Sequence, residues 1–211
     1  PLEYVFDPAD PVPTIGGGGQ NPKGVSGLLQ GGGFDQRGQP GFSLTRGRET
    51  LASRPDVLVF RTPPLPEDTE ITGDVLLHLW VRSSAVDTDF TAKLVDEYPA
   101  SVHYPQGYAL NLVDDIVRMS YRDGRLTREL IEPGQIYRIE IGPMPISNLF
   151  RKGHRIRIDV SSSSFPQFDV NPNTGAPFDQ SRGGIPARNS VFVDAEHASV
   201  LILPTMPRAA G

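Results

Sequence analysis

Four consecutive serines at residues 161–164 are the side chains best placed in this sequence to do covalent chemistry. With His154 and Asp159 they include the residue types of a serine hydrolase triad, in which histidine removes the serine proton and a carboxylate orients the histidine. Closeness in sequence does not establish such a site, because alternate residues of a strand point to opposite faces. A triad serine also sits on a G-x-S-x-G turn, and no such pattern occurs here. We therefore predict no catalytic residue and expect these serines to satisfy backbone groups where a strand enters a loop.

No metal or cofactor site is predicted either. The four histidines lack the i, i+2 or i, i+4 spacing of shared metal ligands. Acidic pairs at 87–89 and 114–115 could bind calcium, but such pairs at strand ends are more often solvated or bound by backbone amides. The glycines at 16–19 lack the lysine and hydroxyl residue that complete a phosphate-binding loop. The absence of cysteine excludes disulfides and thiolate chemistry.

The segments that would position these residues have the pattern of β-strands. In residues 154–162, apolar Ile156, Ile158 and Val160 alternate with Arg155 and Arg157, as a half-buried strand requires. Seven further segments have strand character and are joined mostly by Gly, Pro, Asp and Asn turns: 57–61, 71–82, 90–97, 108–121, 135–141, 190–193 and 200–203. No segment has a helical period, so we predict an all-β fold, a jelly-roll β-sandwich.

The first 50 residues have a different composition. They contain 12 of the 22 glycines, interrupted by apolar residues that a pure linker does not need. We predict an extended Gly/Pro-rich arm at 1–50 that packs on a jelly-roll domain at 51–211.

The predicted strand at 71–82 has bulky side chains on both faces. Leu76, His78 and Trp80 alternate with a second apolar series, whereas a sheet with one face in water alternates more cleanly. Either the arm or another domain should cover this face, so we identify these three residues as a candidate domain interface. Trp80 could instead form a sugar-binding platform, but a single Trp among strand leucines is more often core or interface.

Charge and hydropathy exclude some partners. The formal net charge of −5 gives no reason to expect nucleic acid or an anionic membrane, and no run of 18 apolar residues predicts a membrane span. The sequence begins at Pro1 without a signal-like segment, so we expect it to be part of a longer protein, and the cytoplasm is favoured.

Several segments, in the same order, resemble one known family. They are YVFDPADPVPT at 4–14, SSAVDTDFTAKLVD at 83–96, IVRM at 116–119 with YR at 121–122, GHRI at 153–156, and SSSFP at 162–166 with NPNTG at 171–175. The chain resembles, over residues 2 to about 204, the C-terminal domain of the X-Pro dipeptidyl-peptidase and cocaine-esterase family of serine hydrolases. The likeness is greater to the cocaine-esterase-like branch, and the resemblance implies that the jelly-roll β-sandwich is of the galactose-binding-like kind.

The resemblance implies a division of labour between domains. In that family the triad belongs to an α/β-hydrolase domain, so no catalytic residue is carried over to this chain. The resemblance also implies that Leu28 and Leu29 match a leucine-rich turn that approaches the mouth of the active site. The implied partner is the α/β-hydrolase catalytic domain of the same parent chain, and a second copy of this chain remains open as a partner.

We therefore predict a non-catalytic module that stabilises the catalytic core of a serine hydrolase and helps to wall its substrate pocket. Two alternatives remain. A carbohydrate-binding module would need two or three exposed aromatic residues on one face or at loop tips, with polar neighbours. An oligomerisation module would bury Leu28 and Leu29 against a second copy.

Overall fold

Nine strands and two short 3₁₀ turns make up the secondary structure of the computed structural model, which describes residues 1–16, 33–37, 50–124, 126–176 and 183–207. The strands are β1 (Leu2–Phe6), β2 (Leu58–Arg61), β3 (Thr69–Ser83), β4 (Asp89–Tyr98), β5 (Tyr108–Arg118), β6 (Ile136–Phe150), β7 (Arg155–Ser161), β8 (Ala187–Phe192) and β9 (Val200–Ile202). The turns are η1 (Leu51–Ser53) and η2 (Met119–Tyr121). Within those ranges no helix is long and apolar enough to span a bilayer.

The strands form two antiparallel sheets. Sheet 1 has the order β1-β8-β3-β6, with β9 also paired to β3, and sheet 2 has the order β2-β7-β4-β5. The predicted all-β sandwich is confirmed. Successive strands mostly alternate between the sheets, and this order favours the jelly-roll connectivity expected from the sequence.

The core lies between the sheets and follows the alternation of the strands. In β3 the inward series Val75, Leu77, Leu79 and Val81 is at most 3% exposed. It packs with inward residues of the opposite sheet, such as Phe90, which is fully buried. Burial of each such side chain contributes about 1.5–3 kcal/mol, so this two-residue period fixes which face of each strand turns inward.

Strand β6 is longer than the predicted segment 135–141. Pro143 and Pro145 read as strand breakers, but β6 is the edge strand of sheet 1, and an edge strand tolerates residues that cannot donate to a ladder. A register shift near Val75 accompanies Gly142, whose φ is 125°. A Cβ on Gly142 would lie 2.8 Å from the Val75 carbonyl oxygen, so glycine is required at this irregularity.

The outer face of sheet 2 carries residues from the N-terminal part of the chain. A second apolar cluster of Val12, Ile15, Leu51 and Val57 lies there, with Phe34 and Val59 against it. Beneath it the buried side chain of Gln36 donates to the Ile15 carbonyl at 3.0 Å and accepts from Lys93 Nζ at 2.8 Å.

Part of the predicted arm is a strand of the sandwich. Residues Leu2–Phe6 form β1, which pairs with β8 in sheet 1. The sequence pattern did not identify this strand, because its two inward residues, Tyr4 and Phe6, are too few to establish a period. The division at residue 50 remains a prediction.

Candidate functional site

The outer face of sheet 1 holds the predicted interface residues. Leu76, His78 and Trp80 are each half-buried on the side of β3 that faces away from the core. Strand β9 extends this surface, because Ile202 pairs with Leu76 and Val200 with His78. Val200 is 47% exposed and Ile202 is 41% exposed, so the face presents apolar side chains to solvent.

A polar group borders these apolar side chains. Arg138 Nη2 donates to His78 Nδ1 at 2.8 Å, and His78 Nε2 is 2.8 Å from Glu140 Oε2. Since Nδ1 accepts from the guanidinium, Nε2 carries the proton and donates to the carboxylate. His78 is therefore oriented from both sides by residues of β6.

Trp80 is packed by its own chain. Its ring makes an edge contact with His197 at 5.1 Å between centroids, and its backbone N–H donates to Ser199 Oγ at 3.0 Å. His197 also lies 5.3 Å from the Phe192 ring, over which Arg82 is placed at 5.5 Å. This arrangement holds the indole against the sheet.

The four serines join the loop after β7 to other segments. Ser161 Oγ donates to the Asp56 carbonyl at 2.7 Å, and Ser163 Oγ accepts from the Val12 N–H at 2.8 Å. Ser162 Oγ bonds to Tyr4 and Asn189, and Ser164 Oγ to Thr14. All four serines are buried, so their partners satisfy groups that would otherwise be costly to bury.

The other members of the notional triad have different partners. His154 Nδ1 lies 2.8 Å from Asp96 Oδ1, and the His154 ring lies 4.1 Å from that of Tyr98. Asp159 accepts two hydrogen bonds from Arg157, at 2.7 and 2.6 Å. The structure thus does not bring serine, histidine and aspartate together as a nucleophile, base and orienting acid.

The acidic pair at residues 87–89 is used internally. Asp89 accepts from Arg118 Nε and Nη2, both at 2.9 Å, and from Asn171 Nδ2 at 2.8 Å. Asp87 accepts from the backbone N–H and the hydroxyl of Ser120. Within the residues that the structure describes, no group of three or more His, Cys, Asp or Glu side chains is arranged to hold a metal.

A cleft of about 690 Å³ lies where β5, η2, β6 and the loop at 167–169 meet. The sequence pattern does not indicate this cleft, because its aromatic residues, Tyr121 and Phe168, are far apart in sequence.

Leu28 and Leu29 lie outside the described residues, so their predicted place at the mouth of an active site remains a prediction.

The sequence matches one protein-family model, described as the X-Pro dipeptidyl-peptidase C-terminal non-catalytic domain, over residues 3–202. Among characterised proteins, the cocaine esterase of Rhodococcus sp. (strain MB1 Bresler) is 42% identical over 207 residues, which are 97% of this chain and 32% of the esterase.

Two solved structures are similar over 97% of this chain. An α-amino acid ester hydrolase superimposes with a TM-score of 0.77 at 31% identity, and an aminopeptidase from a marine sediment Thaumarchaeota archaeon with 0.75 at 32% identity. The matched region is 32% and 33% of those two chains, so the present chain spans about a third of the length of these relatives.

Proposed function

Because the chain belongs to the family of X-Pro dipeptidyl-peptidase C-terminal non-catalytic domains, we propose that it is the accessory module of a longer serine hydrolase. It stabilises the catalytic core of that enzyme and helps to wall its substrate pocket. The observation that carries this proposal is the partly apolar outer face of sheet 1, which is exposed on a chain that matches only a third of each relative.

The bond cleaved by the longer enzyme is an ester or an amide. The similar proteins are named as an esterase, an ester hydrolase and an aminopeptidase, and all three reactions transfer or release an acyl group. The catalytic domain supplies the activated serine, which forms an acyl-enzyme, and the oxyanion hole that stabilises its tetrahedral intermediates.

The difference between the two outer faces supports the proposal that the catalytic domain docks on sheet 1. Sheet 2 is covered by the apolar cluster around Leu51, whereas on sheet 1 Val200 and Ile202 are 47% and 41% exposed beside half-buried Leu76 and Trp80. Exposed apolar patches with a polar border mark interaction surfaces, and contacts between domains of one chain bury about 600–1,500 Å². Leu76, His78 and Trp80 are therefore the proposed centre of the contact.

Leu28 and Leu29 are the proposed wall of the substrate pocket. Replacement of either by alanine in the longer enzyme should raise KM for an ester with a bulky acyl group and leave its stability nearly unchanged. Leu126→Ala is the matched control, since this leucine is 99% exposed.

A charge placed on sheet 1 tests the docking surface. Ile202→Asp should cost at least about 2 kcal/mol in the longer enzyme, because docking would bury an unpaired carboxylate. In the 211-residue chain, where Ile202 is 41% exposed, the same change should be tolerated. The effect of Ile202→Asp on the longer enzyme is measured by the rate of thermal inactivation. Its effect on the 211-residue chain is measured by urea unfolding. Val102→Asp, at a position 88% exposed in the loop between β4 and β5, is the control.

Equal effects of Ile202→Asp on the chain and on the longer enzyme would contradict docking through sheet 1. A second assay tests the accessory role itself. The 211-residue chain should not hydrolyse p-nitrophenyl acetate or butyrate, while the longer enzyme should. Turnover by the chain alone, blocked by a serine-directed inhibitor, would refute the proposal.

A further inference from the structure

The cleft beside β5 and β6 has the composition of a ligand site. It occupies about 690 Å³ at the edge of the sandwich where the edge strands of the two sheets meet. Two aromatic residues line it: Tyr121 is 38% exposed at the end of η2, and Phe168 is half-buried in the loop after β7. Pockets of 300–1,000 Å³ that combine apolar walls with a few placed polar groups are the usual form of small-molecule sites.

One polar group of the cleft is rigidly held. The Arg118 guanidinium is bound in two places by Asp89, whose side chain is 1% exposed, and Asp89 is itself bound by Asn171. Two of the five N–H donors of Arg118 are used in this pair, and its side chain is 30% exposed in the lining of the cleft. The remaining donors therefore have a fixed direction without the entropy cost of ordering a free arginine.

The turn that carries Tyr121 is also held in place. The Met119 N–H donates to the Thr88 carbonyl at 2.9 Å, and Met119 is fully buried. On the opposite side, the Phe168 N–H donates to the Ser164 carbonyl at 2.9 Å. The backbone near Tyr121 is thus bonded to the segment before β4, and the backbone of Phe168 is bonded within the loop after β7.

Acceptors surround the arginine. Asp115 uses one carboxylate oxygen to accept from the Ile116 N–H, and Gln167 donates to Asp114 through Nε2. Among the residues that the structure describes, the other Asp115 oxygen and Gln167 Oε1 have no hydrogen-bond partner, and both side chains line the cleft. Asp169, an exposed residue, also lines the cleft. The excess of carboxylates over free cationic groups disfavours an anionic ligand, and the number of polar groups disfavours a purely apolar one.

We propose that this cleft binds a neutral saccharide. A pyranose ring has an apolar C–H face that packs on an aromatic ring, and hydroxyls that both donate to carboxylates and accept from a guanidinium. The sequence-based expectation for a carbohydrate module is two or three exposed aromatic residues with polar neighbours, and the cleft has one such residue, Tyr121, beside the half-buried Phe168. The two sites share Glu140, which lines the cleft and bonds to His78 of the proposed docking face, but Tyr121 and Phe168 are not part of that face. A variant at Tyr121 therefore tests the saccharide site separately from the hydrolase accessory role.

Binding is measured by saturation-transfer-difference NMR and calorimetry, with a panel of methyl glycosides and a glycan array as probes. The full 211-residue chain and the longer enzyme are both tested. At least one glycoside should bind each protein, and Tyr121→Ala should weaken that binding about tenfold through loss of one stacking contact. Tyr104→Ala is the matched control, because Tyr104 is exposed to nearly the same extent, 40%, but lies outside the cleft.

Three results would overturn the inference. The chain could give no saturation transfer to any glycoside of the panel, or Tyr121→Ala and Tyr104→Ala could weaken binding equally. Binding to the chain that is lost in the longer enzyme would identify the cleft as a contact between domains instead. Ester hydrolysis by the Tyr121→Ala enzyme should equal that of the wild type, so loss of sugar binding and loss of the accessory role are distinguished.

Discussion

The phenol of Tyr4 should make the stability of this protein fall at alkaline pH. Tyr4 faces the core from β1, is 4% exposed, and its hydroxyl lies 2.8 Å from Ser162 Oγ. Burial raises the pKa of Tyr4 far above its usual value, because the phenolate would lose its hydration. The unfolded chain can release this proton near pH 10, whereas the folded chain cannot.

The sign and size of the effect follow from this difference. A raised folded-state pKa gives stability that is complete below the unfolded pKa and is lost as pH rises above it. One such tyrosine lowers the free energy of unfolding by about 1.4 kcal/mol at about pH 11, and by about 2.7 kcal/mol at about pH 12. Tyr98 and Tyr108 also have raised pKa values, so they too contribute to the fall of the wild-type free energy of unfolding at alkaline pH. Comparison with a Tyr4 variant isolates the contribution of Tyr4.

Urea unfolding of Tyr4→Phe, measured from about pH 8 to about pH 12, tests the reasoning. At the lower end the variant should be about 1 kcal/mol less stable, since one hydrogen bond is lost while Ser162 keeps Asn189 as a donor at 2.8 Å. The variant should become the more stable protein at about pH 11. There the stability that wild type loses through ionisation of Tyr4 exceeds the stability that the hydrogen bond contributes. Ser162→Ala removes the same bond but keeps the phenol, so it should retain the full alkaline slope. Parallel curves for wild type and Tyr4→Phe would refute the argument.

Three further predictions concern the core, a buried ion pair and the substrate pocket. Phe90→Ala, at a fully buried site, should cost about 3–5 kcal/mol in urea unfolding, and a cost below about 1 kcal/mol would contradict its place in the core. Arg157→Met should cost about 3–5 kcal/mol by removing the guanidinium from buried Asp159, and Arg157→Met with Asp159→Leu should recover part of that loss, because Glu97, 3.8 Å from Arg157, also loses its cation. In the longer enzyme, Leu28→Ala and Leu29→Ala should raise KM for bulky esters by about tenfold with little change in kcat, and an unchanged KM would contradict their role.

The elements that depend on local pattern could be predicted from the sequence. The alternation in β3 and β7 and the turn residues between strands indicated an all-β sandwich, because side-chain direction in a strand has a period of two residues. The serines at 161–164 are also expected to satisfy backbone groups, and Ser161 and Ser163 do bond to the Asp56 carbonyl and the Val12 N–H. The family resemblance is confirmed by the match over residues 3–202.

The tertiary structure alone decided which distant segments meet. Strand β1, at the start of the chain, pairs with β8, and the cleft combines Arg118 of β5 with Phe168 of the loop after β7. Pairing of distant strands depends on the packing of both sheets and on closure of long loops, and the local pattern of either strand does not contain that information. The sequence likewise shows that bulky side chains occupy both faces of β3. Only the sheet order shows that Leu76, His78 and Trp80 lie on the outer face of sheet 1.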